Sequence, residues 1–317
     1  CVYNGTSTNV SITGLSSSAT YQVQVFEYNG DAGIENYLTD SASNNPKSQA
    51  TASEVQIGEG TGSQNYLPWA NYYRYSYSQM IYTSSDIGSN GSIDTIKFKY
   101  NGNNTYTWNN MVVYMGHTDK ATFSSGSDWV AVGDLTQVYS GSVSVTAGAS
   151  AWDTITLDSE FEYNGSDNLI IAIDNNHGSY TSSSSKWYYT SASNTFIYRQ
   201  SDSVNYSPSS PGTGTLNSYR PNIILNLNPL THSLSYSAGD NGSISGTTSQ
   251  TIEEGSNGTA VTAVPSTGYQ FVSWSDGSTA NPRTDLDVSE DVTVSASFAT
   301  RVYTLTYSAG VNGSLTG

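Results

Sequence analysis

The sequence predicts an all-β chain, with tandem β-sandwich modules of jelly-roll-like type followed by small β-rich repeat domains. Three observations carry that expectation. No amphipathic helical period persists for three turns anywhere, whereas short alternating apolar runs recur throughout. Asn-Gly pairs begin at positions 4, 29, 90, 101, 164, 241, 257 and 312, and both residues tolerate positive φ, so they read as hairpin turns. Charged residues make up only 11% of a chain rich in Ser, Thr, Asn, Gly and 25 Tyr, a composition suited to sheet surfaces built from hydroxyls and amides.

Composition also excludes several classes of function. Ten Lys plus Arg against 26 Asp plus Glu give a formal charge of −16, the opposite of a nucleic-acid footprint. The single cysteine, Cys1, allows no disulfide within the chain. No apolar run approaches the roughly 18 residues a membrane helix requires. Disorder does not fit aromatic residues that recur in regular alternation.

The first unit is expected over residues 1–51. Leu15 stands six residues before Tyr21, which opens the alternating strand Tyr21, Val23, Val25. That spacing suits a tyrosine corner, in which a phenol bonds back to upstream backbone in a Greek-key sandwich. The stretch "SITGLSSSATYQVQVFEYNG" resembles the last strands of a fibronectin type III domain. That resemblance implies a C-terminal part of such a domain, with further strands upstream.

The second unit spans 52–228. In "TIKFKYNG", Ile96, Phe98 and Tyr100 face one way and Lys97 and Lys99 the other, a half-buried strand ending in a turn. "NLIIAID" is apolar on both faces, as a central strand between two layers should be, and "NIILNLN" repeats an apolar face at Ile223, Leu225 and Leu227. Short strands punctuated by turns predict a two-sheet sandwich of jelly-roll type. The stretches "YYRYSYSQMIYTSSDI", "NNMVVYMGHTDKATF", "DNLIIAIDNN" and "SYRPNIILNL" resemble a sandwich module of large secreted or surface proteins of the Bacteroidetes. It is distantly similar to the cleaved-adhesin jelly rolls of that phylum, which implies an extracellular, non-catalytic module.

The third unit spans 229–299. Tyr269, Phe271 and Trp274 supply a small aromatic core, and Val292, Val294, Ala296 and Phe298 line one face of a final strand. The motif "GYQFVSWSDGSTANPRTD" is similar to the divergent internalin-type B-repeats of bacterial surface proteins. Residues 300–317 begin a second copy: Leu305 and Tyr307 answer Leu234 and Tyr236, and "SAGVNGSLTG" answers "SAGDNGSISG", all at an offset of 71 residues. That period exceeds the roughly 20–50 residues of a solenoid repeat, so each copy should be a bead with its own core. The second copy reads as the first hairpin of another bead, and the chain as a window cut from a longer one.

Signals of chemistry are sparse. His117, His177 and His232 stand in no metal-ligand spacing, His117 and His177 are expected in loops after strands, and no GxSxG elbow follows a strand. "LDSEFEY" places Asp158, Glu160 and Glu162 on one strand face, where three like charges read as a solvated edge rather than a glycosidase pair. No catalytic residue is assigned, and the chain is expected not to be an enzyme. Asp174 and Asn176 in "DNNHG" echo the start of a calcium loop but lack its later acidic ligands, so an Asn-rich turn is the simpler reading. Calcium is the one inorganic partner considered. Trp69, Tyr73 and Tyr75 in "YLPWANYYRYSY" offer a platform on which sugar C–H faces could stack, against the simpler alternative that these rings are core.

The Bacteroidetes resemblance further implies O-glycosylation at Asp-Ser/Thr followed by an apolar residue or threonine. Ser41, Thr95, Thr154 and Ser203 stand in such triplets. Together these readings point to an extracellular, non-catalytic segment of a long surface protein, an adhesin or stalk whose sandwich binds a cell-surface or matrix glycan or protein. Neighbouring modules or other copies are further expected partners. The alternatives are accessory domains of a secreted peptidase or glycosidase, or a subunit of an extracellular fibre.

Overall fold

The structure is a computed structural model that describes residues 12, 15–16, 19–24, 28–29, 36–37, 47–50, 52–148, 151–181 and 185–317. It is nearly all β, with a large antiparallel sheet domain followed by a smaller β-rich repeat. Two compact units emerge, residues 1–21 with 48–230 and residues 22–47 with 231–317.

Four short strands come first: β1 (Thr20–Val23), β2 (Tyr28–Asn29), β3 (Asn36–Tyr37) and β4 (Lys47–Ala50). β1 pairs with β4, and β2 with β3. The Tyr21 hydroxyl oxygen accepts the Ser16 amide at 2.8 Å, the contact that the Leu15–Tyr21 spacing predicts. Most of the remaining expected sandwich strands, and Ser41, lie outside the described residues.

The large domain begins with β5 (Ser53–Ile57), β6 (Gly62–Gln64), β7 (Tyr75–Tyr82), β8 (Gly91–Tyr100) and β9 (Tyr106–Thr118). It continues through β10 (Thr136–Val145), β11 (Ala151–Tyr163), β12 (Asn168–Asn175), β13 (Trp187–Ser201), β14 (Thr215–Pro221) and β15 (Ile223–Asn228). One layer runs β10-β9-β12-β7-β13, and the other contains β8 flanked by β11 and by β15, which in turn pairs with β5. β13 connects the layers, because its first residue, Trp187, pairs with Tyr100 at the end of β8. The two layers are therefore hydrogen-bonded to each other through β13 and β8.

The alternation read from the sequence holds on β8, where Ile96, Phe98 and Tyr100 are buried and Lys97 and Lys99 are half-exposed. β12 lies between β7 and β9, and its residues 169–173 are fully buried. Leu169, Ile171 and Ile173 point into the central core with Met80, Phe98 and Leu225. Each such side chain contributes about 1.5–3 kcal/mol by leaving water. The opposite face of the β9-β12-β7-β13 layer is covered as well. Ile81, Ile170 and Ile197 pack there under Phe123 and Val130 of the segment between β9 and β10. Gln79 fixes that segment, donating from Nε2 to the Val130 carbonyl at 2.7 Å and accepting the Val130 amide at 2.8 Å.

Two elements are not anticipated by periodicity, a 3-10 turn at Val132–Asp134 and the single-turn helix α1 (Ser84–Ile87) after β7. A capping box creates α1: the Thr83 side chain accepts the Asp86 amide, while the Asp86 carboxylate accepts the Thr83 amide. Arg220 of β14 then pairs with Asp86 at 2.8 Å and lies over the Tyr82 ring.

The repeat comprises β16 (Thr231–Ala238), β17 (Gly242–Ser245), β18 (Ser249–Glu253), β19 (Thr262–Pro265), β20 (Tyr269–Trp274) and β21 (Val292–Thr300). One sheet runs β18-β16-β21-β20, with β16 and β21 parallel, and β17 pairs with β19 in a second. The Asn-Gly pair at 241–242 does not close a hairpin as expected, because it passes the chain from β16 in one sheet to β17 in the other. Asn241 supplies the left-handed conformation, φ 69°, while a Cβ on Gly242 would lie 2.2 Å from the Phe298 ring. Trp274 joins Leu234, Tyr236, Val294 and Ala296 in the core, and Phe271 packs against it, but Tyr269 remains half-exposed outside that cluster. Residues 301–317 contain no strand.

Candidate functional site

The tyrosine-rich segment before β7 and the turn after β12 are fastened to each other by backbone hydrogen bonds. The Asn71 carbonyl accepts from the Thr181 amide at 2.9 Å and from the Thr181 hydroxyl at 2.8 Å. The Gly178 amide donates to the Arg74 carbonyl at 3.0 Å, and the buried Asn71 side chain donates to the Ser185 carbonyl at 2.9 Å. Surface tyrosines on these two segments therefore share a fixed framework.

Those tyrosines form a cluster. Tyr72 meets Tyr73 edge-to-face at 6.0 Å and Tyr180 at 6.3 Å, and Tyr72 and Tyr180 are the exposed members, at 45% and 55%. Tyr106 supports the rim, with its hydroxyl 3.4 Å from both the Tyr180 carbonyl and His177 Nε2. His177 Nδ1 accepts the Asn109 amide at 2.9 Å, which requires the neutral ring, and burial holds its pKa below the usual histidine value. The platform differs from the expected one. Trp69 is fully buried at 4.6 Å from Trp187 and 5.3 Å from Trp108, so its ring is core and unavailable to a ligand. Tyr73 and Tyr75 are half-exposed, and Tyr77, next on the same strand face as Tyr75, is buried against Trp129.

Asp174 and Asn176 lie beside this end on the outer face of β12. The Asn176 side chain donates to Asp174 Oδ2 at 2.8 Å, and Asn205 Nδ2 donates to Asn176 Oδ1 at 2.6 Å. Asp174 Oδ1 is buried without a partner, and burial raises the carboxyl pKa to about 6. For calcium this is one acidic ligand with an amide nitrogen turned toward it, well short of the six to eight oxygens the ion takes. Among the described residues there is no group of three or more His, Cys, Asp or Glu able to hold a metal. Along the same face a groove of about 380 Å³ runs between residues 127–131 and 208–213, lined by Trp129, Pro208, Pro211 and serine and threonine hydroxyls. A lone Trp in a Ser/Gly-rich stretch gave no sequence signal for it.

The other singled-out residues are dispersed. Ser203 and Thr154 are exposed, whereas Thr95 is half-buried between Thr156 and Asn226 on the flanking strands. His117 lies within β9 rather than in a loop, stacked on Tyr163, and His232 lies within β16. Asp158, Glu160 and Glu162 are exposed along β11, where Asp158 accepts the Ser140 amide and Glu160 the Ser92 hydroxyl.

The repeat motif proves structural. Arg283, almost fully buried, donates to Asp285 at 2.5 and 2.9 Å and to Asp276 at 2.6 Å, with its guanidinium over the Trp274 ring. Tyr236 donates to the same Asp285 at 2.6 Å. Asn281 bonds the Ala263 backbone in both directions at 2.8 Å. The spacing W-x-D…N-x-R-x-D is thus the wiring of the bead's core, of which the sequence reading saw only the aromatic part.

Residues 232–301 match the family described as the divergent InlB B-repeat domain. That match points to a surface or extracellular bacterial protein. Nothing among curated protein sequences matches the chain.

Proposed function

We propose that the chain is a non-catalytic, adhesive segment of a bacterial surface protein, in which the sandwich binds a neutral glycan and the repeat acts as a spacer. The observation that carries this reading is the Tyr72–Tyr73–Tyr180 cluster. Large rings exposed on two mutually fastened segments bury apolar area at low cost in conformational entropy and present faces to sugar C–H bonds. The InlB B-repeat match supports the surface location.

A glycan panel probed with the chain and with its Tyr72→Ala/Tyr180→Ala variant tests the reading. Binding of at least one neutral oligosaccharide is expected, weakened about tenfold or more in the variant. Circular dichroism should be unchanged, since both side chains are at the surface. Failure to bind any neutral glycan, or equal binding by the variant, overturns the proposal.

A further inference from the structure

We propose a second, separate binding surface around Lys99 on the outer face of the other layer, one that takes a sugar carrying a carboxylate. Among the described residues Lys99, Lys186, Arg74, Arg199 and Arg301 have no ion pair, and Lys99 differs from the others in standing close to two aromatic rings at once. Lys97, Lys120, Arg220 and Arg283 are all in ion pairs. Lys99 has no ion pair and no hydrogen bond among the described residues, although it lies on the same strand face as Lys97. Its ammonium instead stands 5.6 Å from the centre of the Trp152 ring and 5.3 Å from that of Tyr188.

Three strands hold this arrangement. Trp152 of β11 is the direct cross-strand neighbour of Lys99 on β8, and Tyr188 follows the residue by which β13 joins β8. All three side chains are half-exposed. The rings draw the ammonium over their negative faces, yet its three N–H groups keep their capacity to donate to an anion. A carboxylated sugar matches both features, because its ring packs C–H faces on aromatic carbon while its carboxylate meets the ammonium. The exposed Thr154, opposite Lys97, adds a hydroxyl to the same face.

An acidic peptide fits less well. β8 itself is hydrogen-bonded on both sides, to β11 and β15, so an extended backbone could add only beyond β11 and not alongside Lys99. The charge of −16 opposes a long polyanion such as nucleic acid.

Titration calorimetry on the full chain would use tetragalacturonate, its methyl-esterified counterpart, a sulfated galactan tetrasaccharide that carries no carboxylate and a short poly-glutamate peptide. Tetragalacturonate is expected to bind, with the ester weaker by about tenfold or more, as loss of one charge-assisted contact predicts. Lys99→Met, which keeps the stem between the rings, should lose a similar factor, whereas Lys99→Arg should retain binding. Trp152→Ala should weaken it, and the Tyr72→Ala/Tyr180→Ala variant should bind tetragalacturonate normally, separating this surface from the tyrosine cluster. The proposal is overturned if tetragalacturonate does not bind or its ester binds equally. It is also overturned if Lys99→Met binds as wild type, or if the sulfated galactan fragment or poly-glutamate binds as tightly as tetragalacturonate.

Discussion

Arg283 shows how much one residue can hold. Its side chain is buried, paired with Asp276 and Asp285, and stacked on Trp274, so removing it leaves two carboxylates facing each other without a cation. Arg283→Met should destabilise the repeat by about 3–5 kcal/mol, read as faster hydrogen exchange at the β20 and β21 amides. Asp276→Asn should cost less than about 1 kcal/mol, because that carboxylate is largely exposed. Asp174 presents the opposite case, an acid whose ionised form the fold disfavours. Its pKa is raised from 3.8 to about 6, so its contribution to stability is complete below the unfolded value and is lost as pH rises through about 6. Asp174→Asn should therefore flatten the decline in denaturation midpoint between about pH 4 and pH 7, by an amount on the order of 2–3 kcal/mol. An unchanged pH profile in the variant would rule out Asp174 as its source. His177 works against this trend, since its lowered pKa makes folding less favourable as pH falls below the unfolded value of 6.5.

At the scale of elements, the repeat offers an internal control. Leu234 and Tyr236 are buried between β18 and β21, while their counterparts Leu305 and Tyr307 are 75% and 73% exposed. Leu234→Ala should destabilise the bead by about 2–5 kcal/mol, and Leu305→Ala should stay within about 0.5 kcal/mol of wild type. Comparing denaturation curves of the two variants checks that position in a motif matters less than the strands around it. The same distinction governs what the sequence could reveal. Strands with strict alternation, such as β8, and the doubly buried β12 were legible because burial follows period two directly. The tyrosine cluster was only half legible. The strand begins at Tyr75, and in the turn before it Tyr72, which the expected platform does not include, is the exposed ring. Tyr180 joins the cluster through hydrogen bonds between segments more than 100 residues apart, which no local period encodes, whereas Arg283 takes its carboxylates from seven residues before it and two after, a local spacing that alternation does not read.

For the whole molecule, the balance of charge sets its behaviour in acid. With a sequence pI near 4.2, the net charge of −16 vanishes as pH approaches that value, and the repulsion that keeps copies apart vanishes with it. Unfolding need not accompany this loss. Asp276 and Asp285 are held below the ordinary carboxylate value, Asp285 chiefly by hydrogen bonding to Arg283, and Asp276 by the same guanidinium against a desolvation that opposes it. Groups shifted in this direction lend stability that is present above the unfolded value of 3.8 and is lost only as pH falls through their lower folded values. At pH 4.2 most of that contribution is still in place, and protonated Asp174 now favours the folded sandwich. Precipitation near pH 4 should therefore be association of folded chains. Turbidity is expected to peak there and to clear when the pH is returned to 7, with the near-ultraviolet circular dichroism spectrum of the redissolved protein unchanged. A precipitate that fails to redissolve, or redissolves without that spectrum, would instead mean that the carboxylate network gives way before the charge does.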